Sequence, residues 1–267
     1  MTEKRNPIVI AGNWKMNNGV QETTKYLKKL INLLSARTEI HRALSAGCIQ
    51  LILFPPSVSL FSACTISANT TIAIGTQNVH WETKGAFTGE ISVPMVKETG
   101  IRYALVGHSE RRHVFGETVE MTAKKLVACI KENVTPVLCI GETDKERSEG
   151  LTEDVLARQF DGAFRREIVL DEKKDRLYIA YEPVWAIGTG NTATPDDAEA
   201  ACRFVRERIS RRFGPRISET ARILYGGSVK PGNSRELLSQ ENIDGALVGG
   251  ASLDPEEFLE IADAALS

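Results

Sequence analysis

Leu177-Tyr178-Ile179-Ala180-Tyr181-Glu182-Pro183-Val184-Trp185-Ala186-Ile187-Gly188-Thr189-Gly190 is an apolar run that ends on a carboxylate and passes into a glycine-punctuated loop. The run from Leu177 to Tyr181 does not alternate with polar residues, so it reads as a short strand buried on both faces. Pro183 cannot continue a sheet ladder and stiffens the exit. Gly188 and Gly190 allow a sharp bend or a close approach to a ligand. Pro195-Asp196-Asp197 then opens an amphipathic helix running to Phe213, with the proline at its first turn and acidic residues next to it. The unit is strand, loop, helix. Its carboxylate is either a surface cap before a turn or a rigidly held base, and the rest of the chain decides between them.

The same unit recurs along the whole chain. Apolar runs occur at Ile8–Gly12, Ile49–Phe54, Thr71–Gly75, Tyr103–Gly107, Pro136–Ile140, Leu177–Tyr181, Arg222–Tyr225 and Ala246–Gly249. Between them lie helical patterns such as Val20–Leu34, Thr118–Glu132 and Thr152–Arg165, with a last helix opened by Asp254-Pro255-Glu256-Glu257. Eight such units in roughly 250 residues match a closed (β/α)₈ barrel. The alternative, an open doubly wound sheet, would carry a phosphate-binding glycine motif after its first strand, and none is present. No low-complexity linker divides the chain, so residues 1–267 are expected to form a single barrel domain.

Composition narrows the function. The chain carries 33 Lys+Arg against 35 Asp+Glu, a net charge of -2, and its basic clusters are short and scattered. A nucleic-acid partner is not expected. No apolar run has membrane-spanning length, so neither is a membrane. Five cysteines without C-x-x-C spacing suit a reducing, cytoplasmic setting better than a disulfide framework. The four histidines show no ligand spacing, and no metal site is expected.

In a barrel of this class the chemistry lies at the C-terminal ends of the strands. Those ends read Asn13-Trp14-Lys15, Gly107-His108-Ser109-Glu110, Glu182, Gly226-Gly227-Ser228 and Gly249-Gly250. Glycine turns after the last two strands can aim backbone amides at an anion, and Ser228 adds a hydroxyl. Lys15 is a cation for a negative substrate, an amine for a Schiff base, or a surface charge. His108 is an acid, a base or a hydrogen-bond donor, with Ser109 and Glu110 beside it as a polar network. The loop 77–92 after the third strand is long enough to suggest a function of its own.

At these motifs the chain resembles the triosephosphate isomerase family. The resemblance rests on Gly12-Asn13-Trp14-Lys15-Met16-Asn17, Gly107-His108-Ser109-Glu110-Arg111-Arg112, Tyr181 through Gly190 and Tyr225-Gly226-Gly227-Ser228-Val229, in that order over nearly the whole chain. It implies interconversion of dihydroxyacetone phosphate and D-glyceraldehyde 3-phosphate, a step of glycolysis and gluconeogenesis, with no cofactor. It implies Glu182 as the base, neutral His108 as the group that polarises the carbonyl, and Lys15 and Asn13 at the developing enediolate. Gly188, Ser228, Gly249 and Gly250 would bind the phosphate, Ser109 and Glu110 would support the network, and residues 183–193 would close as a lid. It further implies a homodimer, with Gln77, Asn78, Thr88, Glu90 and Arg111 at the interface and loop 77–92 reaching into the partner subunit. Asn191 departs from the lysine common at that lid position.

Two rival readings use the same residues. A tetrulose phosphate would meet the same base and phosphate clamp. A Schiff-base aldolase would use Lys15 as a nucleophile. The connections Ser35–Gly47 and Phe213–Ala221 carry no readable signal.

Overall fold

The computed structural model describes residues 6–165, 168–171, 176–187 and 192–266. Eight strands, β1 (Ile8–Asn13), β2 (Ile49–Phe54), β3 (Ile72–Thr76), β4 (Tyr103–Val106), β5 (Thr135–Ile140), β6 (Tyr178–Tyr181), β7 (Arg222–Tyr225) and β8 (Gly245–Val248), pair in sequence order. All pairings are parallel, and β8 returns to β1 through Val9↔Gly245 to Gly12↔Val248, which closes the barrel. The expected class, a single (β/α)₈ barrel, is the one observed.

Alternation along each strand sorts the core into two compartments. Val9 and Ala11 of β1, Val137 and Cys139 of β5, Tyr178 and Ala180 of β6, Leu224 of β7 and Leu247 of β8 fill the barrel interior. Their neighbours Ile10, Leu138, Ile179, Ile223 and Val248 face outward into a larger cluster shared with the helices. Both compartments are apolar, so the strands read as continuous hydrophobic runs.

The N-terminal end of the barrel is plugged. Tyr178 donates its hydroxyl to Gln50 Oε1 at 2.9 Å, Gln50 donates to the Tyr103 hydroxyl, and the two tyrosine rings meet edge to face at 5.5 Å. The C-terminal end is left open, and it is there that the polar strand ends gather.

The helix expected to open at Pro195 spans Pro195–Phe213 and is capped by reciprocal bonds between Thr194 and Asp197. The two silent connections each contain a helix, Thr38–Ser45 and Pro215–Thr220. Trp14 fixes the end of β1 to the last βα turn: its Nε1 donates to the Ser252 carbonyl at 3.0 Å, and its ring packs edge-on against Tyr26 at 4.6 Å.

Candidate active site

The inward alternation of the strands continues one step past their ends, and this step places the polar residues. Positions 9 and 11 of β1 point inward, and position 13 is Asn13. Positions 178 and 180 of β6 point inward, and position 182 is Glu182. On β5, β7 and β8 the corresponding positions are Gly141, Gly226 and Gly249. Glycine there is a spatial requirement. A Cβ on Gly226 would lie 2.9 Å from Glu182 Cγ, and one on Gly141 would lie 1.7 Å from the Glu182 carbonyl oxygen. Gly226 thus leaves room for the Glu182 side chain, and Gly141 lets the Glu182 backbone lie against the end of β5.

Glu182 is 2% exposed and rests on two donors. Ser109 donates its backbone N–H to Oε2 at 2.8 Å, and His108 Nε2 lies 3.2 Å from Oε1. The other ring nitrogen settles the tautomer of His108. His108 caps the turn Ser109–His113, and its Nδ1 accepts the Glu110 N–H at 3.3 Å. A nitrogen that accepts carries no proton, so the proton of the neutral ring is on Nε2, facing Glu182 and the cavity.

Lys15 enters from β1. Its backbone is left-handed at φ 51°, an uncommon conformation for a residue with a Cβ. Two bonds hold it: its N–H donates to Asn13 Oδ1 at 3.0 Å, and Gln77 Nε2 donates to the Lys15 carbonyl at 2.7 Å while also anchoring itself on the Phe54 carbonyl at 2.9 Å. Nζ pairs with Glu110 Oε1 at 2.6 Å. Glu110 thus orients the cation directly, while its backbone N–H fixes the tautomer of His108.

These groups line one cavity of about 630 Å³ at the open end of the barrel. Asn13, Lys15, His108 and Glu182 line it together with Ser228, Gly249 and Gly250, and Lys15 Cε would lie 3.8 Å from a Cβ placed on Gly249. Gly250 opens the 3₁₀ turn Gly250–Leu253. Gly188 and Asn191 lie outside the described residues.

The residues expected at a subunit interface do not line this cavity. Gln77 supports Lys15, Asn78 Oδ1 accepts from Lys125 at 2.7 Å, and Arg111 pairs with buried Glu117 at 3.3 Å. Residues 82–90, including Thr88 and Glu90, are exposed.

Sequence reasoning missed a carboxylate. Glu142 lies just past the end of β5, one step beyond Gly141, and it is fully buried. Its Oε1 accepts from Trp185 Nε1 at 2.8 Å and from the Tyr181 hydroxyl at 3.1 Å, while Oε2 has no hydrogen-bond partner among the described residues. Burial pushes its carboxyl above the usual value, with both donors and the nearby Arg147 pulling the other way. The signal was an acidic residue at a strand end, the same one used for Glu182.

The family described as triosephosphate isomerase matches residues 8–265 of this chain. The chain is similar to the triosephosphate isomerase of Aquifex aeolicus strain VF5, 44% identical over 253 residues that cover 95% of this chain and 97% of the relative. It is similar to that of Alkaliphilus oremlandii strain OhILAs at 45% over 257 residues, 96% and 98% of the two chains. The triosephosphate isomerase of Synechococcus sp. strain JA-2-3B'a(2-13) is 45% identical over 258 residues, 96% of each chain.

Proposed function

The chain belongs to the triosephosphate isomerase family, and from that premise we propose that Glu182, His108, Lys15 and Asn13 carry its reaction at the open end of the barrel. The reaction interconverts dihydroxyacetone phosphate and D-glyceraldehyde 3-phosphate by moving a proton between adjacent carbons through an enediolate. Its substrate is a small phosphorylated sugar.

The observation that carries the assignment is the 3.2 Å approach of Glu182 Oε1 to His108 Nε2 inside the cavity that Lys15 also lines. Glu182 is the acceptor for the carbon-bound proton. It leaves the Ser109 amide to reach substrate, into the space that Gly226 keeps free. The Nε2–H of His108 donates to the carbonyl oxygen as charge develops there, and the same nitrogen returns protons between the two oxygens. Lys15 and the carboxamide of Asn13 stabilise the enediolate. Backbone amides at Gly249 and Gly250, with Ser228, bind the phosphate, as does Gly188 outside the described residues. Residues 183–193 close over it and exclude water, which protects an intermediate prone to lose phosphate.

A homodimer completes the reading. Met16, Phe87, Met95, Val114 and Phe115 are exposed, Met16 at 95%. Phe87 is in loop 77–92 itself, Gln77 at the base of that loop holds the carbonyl of Lys15 beside Met16, and Lys125 bonds both Asn78 of the loop and Glu117, close in sequence to Val114 and Phe115. Apolar side chains gathered around an exposed loop suit burial against a second copy, with Thr88 approaching Asn13 and Lys15 of the partner subunit. Five cysteines in mostly apolar settings support a reducing, cytoplasmic home.

A coupled isomerase assay on the purified protein, run with each triose phosphate, tests the assignment. Turnover in both directions is expected, and no turnover in either overturns it. Light scattering on the same sample is expected to give twice the mass of the chain. A monomeric mass at full activity would remove the dimer.

A further inference from the structure

The chain on either side of the loop after Glu182 is tied to one short stretch, residues 142–147. On the entry side, Val184 donates its N–H to the Glu142 carbonyl at 3.0 Å, and Trp185 donates Nε1 to Glu142 Oε1 at 2.8 Å. On the exit side, Asp197 sits in the first turn of the helix Pro195–Phe213 and exchanges capping bonds with Thr194. One side chain spans the two. The Arg147 guanidinium lies 3.9 Å above the centre of the Trp185 ring, and its Nη2 donates to Asp197 Oδ2 at 3.2 Å.

Arg147 is itself held in place. The helix Asp144–Ser148 begins with a reciprocal cap between Thr143 and Glu146, Arg147 N–H donates to the Thr143 carbonyl at 2.9 Å, and Glu146 pairs with Arg158 at 3.0 Å. A guanidinium has a flat face for an indole and an edge for a carboxylate, so it can serve both ends at once. An ammonium is a point charge and gives up the planar stack.

We propose that Arg147 is a positioning residue that clamps the entry and exit of the segment following Glu182 in register, so that this segment seats on the phosphate end of the substrate. The inference rests on the assignment of residues 183–193 as a lid over the phosphate. Among the described residues Arg147 bonds Asp197 and stacks on Trp185 and does not line the cavity, so its effect reaches the reaction through the two flanks it joins.

If the clamp is loosened, the enediolate is less well covered. Its electron pair can then form a C2–C3 double bond as the C3–O bond to phosphate breaks, and phosphate leaves with that bonding pair. Released phosphate per isomerisation is therefore a readout that a purely structural role would not move.

The test compares wild type, Arg147→Ala and Arg147→Lys on D-glyceraldehyde 3-phosphate and on D-glyceraldehyde, the same skeleton without phosphate. Arg147→Ala is expected to lower kcat/KM about tenfold on the phosphorylated substrate. It should raise inorganic phosphate released per turnover and leave the phosphate-free substrate unaffected. Arg147→Lys, which keeps the pair with Asp197 and loses the stack, is expected to fall between. Thermal unfolding of each variant reports whether the fold is retained. Parallel losses on both substrates, or phosphate release at the wild-type ratio, would overturn the clamp. Absence of isomerisation by the wild type would instead overturn the lid and site assignment on which it rests.

Discussion

Ser109 donates its backbone N–H to Glu182 Oε2 at 2.8 Å. The bond parks the base against the start of a short helical turn, with its other oxygen 3.2 Å from His108 Nε2. Acid and base are therefore neighbours before any substrate arrives, and the substrate has to draw Glu182 away from the Ser109 amide and from His108 Nε2. The cost of leaving that amide is bounded by the worth of a hydrogen bond to a charged group, about 1.5–3 kcal/mol.

Gln77→Ala removes both side-chain bonds that hold the Lys15 and Phe54 carbonyls. The left-handed backbone at Lys15 is then free to relax. A fall in kcat/KM for the triose phosphates is expected, together with a loss of about 1–3 kcal/mol in stability by urea unfolding. Unchanged kinetics would mean that Lys15 holds its place without Gln77.

Lys125 and Glu117 form a buried pair at 2.5 Å, with side chains 2% and 1% exposed. Burial pushes the Lys125 amine below its usual value, against the pull of Glu117. Lys125→Met leaves the buried carboxylate with Arg111 at 3.3 Å and the Thr122 hydroxyl at 3.5 Å, and should destabilise the protein by about 3–5 kcal/mol. Replacing Glu117 by Leu in the same chain should restore part of that loss. A double variant that is simply the sum of the two single ones would show that the pair is not coupled.

Glu142 predicts a pH dependence of stability. Its folded carboxyl is raised above the ordinary value of 4.5, so the native state holds a proton that the unfolded chain releases first. Stability therefore declines as pH rises from 4.5 through the raised folded value. Glu142→Gln cannot ionise and lacks this slope. Urea midpoints of both proteins from about pH 4.5 to pH 7.5 should show the wild type losing ground to the variant. A difference constant across that range would place the cause elsewhere.

Much of the barrel is legible in the sequence, because strands buried on both faces are apolar without interruption. Ile49–Phe54 and Arg222–Tyr225 are placed to the residue. Boundaries slip where a turn residue resembles a strand residue: the fourth run extends to Gly107, but Gly107 has φ 72° and belongs to the turn before His108. The helices Thr38–Ser45 and Pro215–Thr220 escape notice because 8 and 6 residues are too few to display a period.

The site divides in the same way. Glu182, His108, Lys15 and Asn13 could be located because polar residues at the ends of apolar runs stand out. What joins them could not. The Gln77 support under Lys15 and the burial of Glu142 between Tyr181 and Trp185 link residues distant in the chain, and no spacing encodes them; the Glu110–Lys15 contact is within reach only through the family resemblance.

The central claim is that Glu182 moves the proton between carbons. It is tested most directly by running wild type and Glu182→Gln on dihydroxyacetone phosphate in D₂O and following deuterium at C2 of the glyceraldehyde 3-phosphate formed. The account predicts incorporation by the wild type and a rate about 10³-fold lower in the variant, with binding of a phosphate-bearing substrate retained. Deuterium appearing at the wild-type rate in Glu182→Gln would contradict it.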